Sequence, residues 1–184
     1  MKIDPHNLHR FHGGLRLPGN KDISLQRPLE RVPLPPRLYL PLQQHIGNPA
    51  EPCVEAGERV LKGQVLAFAE GYVSVPLHAP TSGRVVEISE HPVPHPSGMS
   101  ARCIVLEPDG EERWLERPQP PADYRSLNPS ALRNRVREAG IVGLGGAGFP
   151  AFIKLNPGAR RKLELLVLNG AECEPYITCD DMLM

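Results

Sequence analysis

Short apolar runs alternate with turn residues between positions 38 and 107 of the 184-residue chain. Turn-forming glycines separate the apolar runs in this stretch, at Gly57, Gly63, Gly71 and Gly83 among other positions. Runs that are bounded in this way predict short strands packed as a compact sandwich. The predicted strands span residues 38–40, 59–61, 64–67, 72–77, 84–88 and 102–106.

A helix is predicted over residues 129–139. Asn128 suits the N-cap position, Pro129 suits the first helical position, and Gly140 is a natural stop. Apolar residues repeat at the i, i+4, i+7 spacing of one helix face, and arginines lie off that stripe. The stripe is Leu132, Val136 and Ala139, and the arginines are Arg133, Arg135 and Arg137.

The pattern changes again after this helix. A glycine-rich loop at 143–148 leads into a short helix predicted at about 150–156. The four consecutive apolar residues 165–168 predict a strand that is covered on both faces, as in a parallel sheet flanked by helices. A polar loop and the first turn of another helix, near Asp180, follow this strand. We therefore expect an α+β protein in which a small β-sandwich precedes the start of an α/β domain.

Proline and glycine positions suggest the domain organisation. The chain has 22 prolines and 17 glycines, and its first residues show no sustained period of 2 or 3.6. We expect an extended arm that lies along the body of the protein, and a proline-rich linker behind the sandwich. The predicted parts are the arm at 1–37, the sandwich at 38–107, the linker at 108–128 and the incomplete α/β domain at 129–184.

Charge and composition exclude several function classes. The 21 basic and 21 acidic residues cancel, so no net field favours nucleic acid or an anionic membrane. No apolar stretch approaches the roughly 18–20 residues of a membrane span, and the first residues lack the apolar core of a secretory signal. A cytoplasmic location with reduced cysteines is therefore predicted. The cysteines are Cys53, Cys103, Cys173 and Cys179, whose spacing fits neither a zinc site nor an iron-sulfur cluster, so we expect no metal.

The glycine-rich loop satisfies the pattern G-x-G-x-x-G at Gly143, Gly145 and Gly148. A Rossmann fold would need a buried strand just before this pattern, but a predicted helix precedes it. Such a loop could lie against a phosphorylated or flat ligand, with Phe149 as a stacking face, or it could be a structural turn. Both interpretations remain open on the residues alone.

A second candidate loop runs from Asn169 to Pro175 and contains two acids, Glu172 and Glu174. The amide of Asn169 and the two carboxylates could bind a ribose or a ring N–H, since ligands of open α/β sheets bind at the carboxyl ends of strands. Alternatively, Glu172 or Glu174 caps the helix that follows. The histidines at positions 6, 9 and 12 are interpreted as part of the exposed arm rather than as a metal site.

Residues 57–67 and 78–86 resemble the two halves of a biotinyl or lipoyl carrier domain. Those carriers present a modified lysine on the hairpin between the halves. The corresponding hairpin here, at 70–75, contains no lysine. The sandwich is therefore expected to be a structural module in a larger assembly.

Longer motifs identify a more specific resemblance. Taken together they closely resemble the C subunit of the Rnf-type ion-translocating electron-transport complex, a family related to the flavoprotein subunit of respiratory complex one. The motifs are Phe11-x-Gly13-Gly14, Pro41-Leu42-x-Gln44-His45-Ile46-Gly47, Leu77-His78-Ala79-Pro80-Thr81-Ser82-Gly83, Gly143-Leu144-Gly145-Gly146-Ala147-Gly148-Phe149-Pro150 and Asn169-x-Ala171-Glu172-Cys173-Glu174-Pro175-Tyr176.

The resemblance implies hydride transfer from NADH to FMN, followed by single-electron transfer to iron-sulfur clusters. It implies a barrel-sandwich hybrid followed by a flavin domain, in a protein held peripherally by its partner subunits on the cytoplasmic side of the inner membrane. By position, the glycine loop would line the flavin and nicotinamide, Lys154 would counter a phosphate, and Asn169, Glu172 and Glu174 would contact the flavin or ribose. The implied loop residues are Gly143, Gly145, Gly146, Ala147, Gly148 and Phe149.

Two departures from the family pattern matter. Ala151 and Phe152 stand where family members commonly have threonine and a small residue. Family members also continue for hundreds of residues, and their two 4Fe-4S clusters are expected only in that further part. We therefore expect an amino-terminal fragment that binds FMN weakly or not at all alone. The alternative function is a non-catalytic assembly module whose glycine loop is merely structural.

Overall fold

The computed structural model describes residues 12–15, 17–116, 123–156, 158 and 165–183. His6 and His9 lie outside the described residues. The chain divides into two compact units, residues 32–164 and residues 1–31 together with 165–184. In chain order the elements are α1 (Lys21–Ser24), β1 (Leu38–Pro41), β2 (Glu51–Pro52), β3 (Arg59–Val60), β4 (Val65–Phe68), β5 (Leu77–His78), β6 (Gly83–Pro92), β7 (Ser100–Pro108), a 3₁₀ turn (Tyr124–Ser126), α2 (Pro129–Glu138), α3 (Ala151–Lys154) and α4 (Cys179–Leu183).

The larger unit contains two antiparallel sheets. One has the strand order β1-β7-β6-β3 and the other the order β2-β4-β5. The long β6–β7 pair runs from Gly83 opposite Pro108 to Pro92 opposite Ser100. A glycine is required at position 83, because a Cβ there would lie 2.2 Å from the carbonyl oxygen of Glu107.

The core of this unit lies within the sandwich. Leu66, Val85, Ile104 and Leu106 are fully buried and belong to one apolar cluster. These residues come from β4, β6 and β7, so the inward faces of both sheets contribute to the same core. Burial of apolar surface of this kind is the main stabilising contribution to a small sandwich.

Helix α2 forms as the sequence predicts. The Asn128 side chain accepts a hydrogen bond from the backbone N–H of Ala131 at 2.8 Å, and Pro129 is the first helical residue. The helix stops before Gly140, whose φ of +70° favours glycine. Cap and stop are local signals, which explains why this helix is readable from the sequence.

The Arg137 side chain makes tertiary contacts that its position off the apolar stripe does not predict. Its guanidinium donates to the carbonyl of Gly71 and, at 3.3 Å, to the carbonyl of Ser74. It also lies over the ring of Phe152, 5.2 Å from the centroid, and that ring meets Tyr72 edge to face. One side chain thus joins α2 and α3 to the hairpin at 70–75.

The predicted strand at 72–77 is wrong for all but its last residue, since β5 begins at Leu77. The Ser74 hydroxyl accepts from the N–H of Glu70 and donates to the carbonyl of Asn48, both at 3.1 Å. Arg137 donates hydrogen bonds to the main-chain carbonyls of Gly71 and Ser74. Within 72–77, side chains bind two backbone groups that a strand would have paired in a ladder, since Arg137 binds the carbonyl of Ser74 and His45 accepts from the N–H of Val75.

The smaller unit is held together by main-chain acceptors around Lys21. The Lys21 ammonium donates to the carbonyls of Glu174 at 3.0 Å and Ile177 at 2.6 Å. The N–H of Tyr176 donates to the carbonyl of Gly19 at 2.7 Å. Helix α4 forms at the predicted position near Asp180.

The predicted buried strand at 165–168 is wrong. These residues belong to no strand, and their side chains are between 69% and 79% exposed. A parallel-sheet strand needs neighbouring strands and a covering layer on each face. Among the described residues no strand pairs with 165–168, so the apolar run stays in solvent.

Candidate nucleotide site

The glycine-rich loop is closed at its base. The N–H of Gly143 donates to the carbonyl of Phe149 at 2.8 Å, and the N–H of Ala151 donates to the carbonyl of Ile141 at 3.0 Å. An antiparallel bridge joins Val142 to Pro150 between these bonds. These contacts hold the two ends of the loop together, and residues 144–147 between them are exposed.

One part of the loop is seated on the sandwich. The N–H of Ile46 donates to the carbonyl of Ala147 at 3.1 Å. A Cβ on Gly148 would lie 2.7 Å from the carbonyl oxygen of Gln44 and 2.9 Å from the Cα of His45. Gly148 also has a φ of +59°. The close approach gives this glycine a packing role, and its positive φ gives it a backbone role, as the structural-turn alternative predicts.

Another part of the loop presents bare main chain. A Cβ on Gly145 or Gly146 would meet no heavy atom within 4 Å, and Gly146 has a φ of +92°. No packing contact within the described residues explains these two glycines. A side-chain-free face is what a flat or phosphorylated ligand needs for close approach.

Three of the predicted site residues come together at one edge of the loop. The ammonium of Lys154 lies 2.7 Å from the position that a Cβ on Gly143 would occupy. It also lies 5.8 Å from the centroid of the Phe149 ring. An exposed cation beside peptide groups and an aromatic ring suits an anionic, partly aromatic ligand.

The His45 side chain fixes the sandwich segment on which the glycine loop packs. It is only 8% exposed, and its Nε2 accepts from the N–H of Val75 at 3.3 Å, which leaves the proton on Nδ1 to donate to the carbonyl of Ile46 at 2.9 Å. Both ring nitrogens are thus engaged by main chain. His45 is not at a spacing from other residues that is typical of metal ligands. In the sequence, only its place in the motif at 41–47 points to a role.

Two cavities adjoin the glycine loop, one of about 400 Å³ and one of about 760 Å³. Gln44, His45 and Gly146 line both of them. The smaller cavity also reaches His78, whose pKa is lowered by burial, an effect that the main chain of Glu138 opposes. His78 therefore favours the neutral form, which can accept a hydrogen bond.

The acidic loop belongs to the smaller unit, where its side chains serve local structure. Asn169 Oδ1 accepts from the N–H of Ala171 at 3.0 Å. Glu172 Oε1 accepts from the N–H groups of Asp180 at 2.9 Å and Asp181 at 3.2 Å. Glu172 thus caps α4, which is the capping alternative that the sequence left open. Glu174 contributes its carbonyl to Lys21.

Ligand atoms of Glu172, Cys179 and Asp180 lie within 4.8 Å of one another. The pKa of the Cys179 thiol is raised, first by desolvation and then by the charge of Glu172. A protonated thiol is a poor metal ligand. The absence of a metal stays a prediction, as do the flavin and ribose contacts that the resemblance implies for Asn169, Glu172 and Glu174.

Comparison with known proteins decides the family. Residues 9–111 match the RnfC barrel sandwich hybrid domain, which is more than half of the chain. The chain belongs to the RnfC family. The predicted fold class is confirmed, since a match to the Nuo51 FMN-binding domain follows over residues 136–184.

Curated relatives agree with this assignment to the RnfC family. The chain is 56% identical over 177 residues to the C subunit of the ion-translocating oxidoreductase complex of Pseudomonas aeruginosa, covering 96% of this chain and 23% of the relative. It is 52% identical to the protein of the same name from Serratia proteamaculans, covering 95% of this chain and 24% of that relative. The chain therefore spans about a quarter of the length of these relatives. Within the described residues, no helix has the length and apolar character that crossing a bilayer requires.

Proposed function

We propose that this RnfC-family chain helps to bind FMN and to present it to NADH, within a complex that couples electron transfer to ion translocation. The observation that carries the proposal is the bare main-chain face at Gly145 and Gly146, which no packing contact among the described residues explains. The match of residues 136–184 to an FMN-binding domain supports the same ligand.

The residues present fit a flavin nucleotide. Gly145 and Gly146 leave room for close approach of a flat ring, and the adjoining cavities fall within the usual size of small-molecule sites, about 300–1,000 Å³. Lys154 supplies a positive charge and Phe149 an aromatic ring at the loop edge. Asn169, Glu172 and Glu174 complete the proposed set from the acidic loop.

Bound FMN would supply the chemistry, because it can take a hydride from NADH and release electrons singly. The protein's own residues would bind and orient. In the proposed roles, Gly145 and Gly146 permit contact, Lys154 neutralises phosphate charge, and Asn169 offers a donor and an acceptor to the ring. Gly143, Ala147 and Gly148 shape the loop that carries Gly145 and Gly146.

The wider assembly is also part of the proposal. We expect an arm at 1–37, a sandwich at 38–107, a linker at 108–128 and the flavin domain from 129, with other Rnf-type subunits as partners. The protein would be peripheral on the cytoplasmic side of the membrane and would pass electrons to 4Fe-4S clusters. Binding of nucleic acid is not expected, since the net charge is zero.

Flavin retention in the full-length protein tests the proposal. Gly146→Ala should weaken FMN affinity at least tenfold, because a methyl group on the bare face blocks close approach; that corresponds to about 1.4 kcal/mol. NADH-dependent reduction of ferricyanide should fall with flavin content. Gly110→Ala is the matched control, because Gly110 has a similar φ of +76° and its Cβ also meets open space.

An assembly module remains the second candidate. Two observations favour it: Gly148 of the glycine loop packs on the sandwich, and Glu172 of the acidic loop caps α4. Unchanged flavin content in Gly146→Ala, together with normal assembly of the complex, would support the module. Absence of flavin from the unaltered full-length protein would refute the redox proposal outright.

A further inference from the structure

The sandwich segment at 44–46 lies directly against the glycine loop. Ile46 binds the carbonyl of Ala147, and Gly148 packs on the main chain of Gln44 and His45. His45 in turn is held by Val75. These contacts hold the segment beside the loop, so a ligand bound at the end of the loop near Ala147 and Gly148 would lie next to the sandwich.

The two cavities that adjoin the loop share this segment as lining. Gln44 and His45 line both, and Gly146 is the loop residue common to both. Leu42, Val75 and Leu77 give the smaller cavity an apolar floor from the sandwich. Ligand sites typically combine such apolar lining with a few polar groups that fix the ligand's orientation.

Gln44 is a polar lining residue with no structural task for its side chain. The residue is exposed, and its amide makes no hydrogen bond to any part of the chain that the structure describes. In contrast, Gln43 donates to the carbonyl of Gly47 at 3.0 Å, and Gln64 accepts from the N–H of Leu61 at 3.0 Å. Both ring nitrogens of His45 are already engaged.

From these observations we infer that the sandwich domain forms one wall of the nucleotide site and that Gln44 is its polar contact. A primary amide pairs well with an imide or carboxamide edge, since each side offers a donor and an acceptor. Two sources carry that chemistry, the imide edge of a flavin and the carboxamide of nicotinamide. The inference rests on the proposed function and adds a binding residue outside the matched FMN-binding domain.

The test compares Gln44→Leu with Asn134→Leu in the full-length protein. Asn134 is an exposed amide on α2 that lines neither cavity, so it controls for loss of a surface amide. Gln44→Leu should raise the dissociation constant for FMN about tenfold in a flavin titration, which identifies the flavin as the source. A similar rise in KM for NADH with unchanged FMN affinity identifies nicotinamide instead. The control should change neither quantity.

Wild-type values for both FMN affinity and KM in Gln44→Leu would overturn the inference and leave the proposed function intact. A full-length protein that binds neither nucleotide would instead defeat the proposed function and this inference with it. Gln44→Glu is the second variant, to be used if leucine disturbs folding by circular dichroism. The glutamate keeps the shape of the side chain and loses the N–H donor, so it should weaken binding of the same ligand. Unchanged binding of both ligands would count against the inference.

Discussion

At the scale of single residues, the glycines of one loop have different tasks. Gly148 is pressed against the main chain of Gln44 and His45, while Gly145 faces open space. The pattern G-x-G-x-x-G treats them alike, because it records only the absence of a side chain. Only the surroundings of each Cβ position separate packing from binding.

This difference predicts that two alanine variants differ in their free energy of unfolding. Gly148→Ala should destabilise the chain by about 2–4 kcal/mol, because the new Cβ would clash with backbone and alanine disfavours a φ of +59°. Gly145→Ala should stay within ~0.5 kcal/mol of the unaltered protein. Urea unfolding followed by fluorescence of Trp114 measures both. Equal stability of the two variants would contradict the seating of Gly148 on the sandwich.

At the scale of elements, Arg137 is the principal tie between the helices and the 70–75 hairpin. In biotinyl and lipoyl carriers, the corresponding hairpin presents a modified lysine. Here the carbonyls of Gly71 and Ser74 receive Arg137, and Tyr72 meets Phe152. In this chain the hairpin therefore contacts the start of the second matched domain.

Removing this tie should weaken the larger unit. Arg137→Ala is expected to cost about 1–3 kcal/mol, since two carbonyls lose a charged donor and Phe152 loses its stacked guanidinium. Arg135→Ala is the control, because Arg135 lies in the same last turn of α2 and is exposed. Thermal unfolding of the two variants supplies the comparison. A loss in Arg135→Ala as large as that in Arg137→Ala would point to a helix-terminus charge effect instead.

Local signals explain which elements the sequence predicts. Helix α2 carries its own cap and stop at Asn128 and Gly140, so it is readable without tertiary information. The strand at 72–77 is not, because residues far away in the sequence decide its contacts: Arg137 binds the carbonyl of Ser74, and the Ser74 hydroxyl binds the carbonyl of Asn48. The candidate site is similar: the glycine loop is visible as a motif, but the contribution of Gln44 depends on which segment packs beneath the loop.

At the scale of the whole molecule, burial is concentrated in one unit. The apolar core cluster comes entirely from residues between Leu38 and Leu106. In the smaller unit the apolar run at 165–168 is exposed, and Thr178 is the one buried residue among its described positions. Cooperative unfolding should therefore be a property of residues 32–164.

Residues 32–164 expressed alone should accordingly unfold at the same urea midpoint as the 184-residue chain. Trp114 is the single tryptophan and lies in this unit, so its fluorescence follows the same transition in both proteins. Ile104→Ala, which empties a fully buried site, should lower stability by about 2–5 kcal/mol, while Leu166→Ala at an exposed position should change little. A clearly lower midpoint for 32–164 would mean that the smaller unit contributes stability that its described contacts do not account for, because those contacts bury almost no apolar surface.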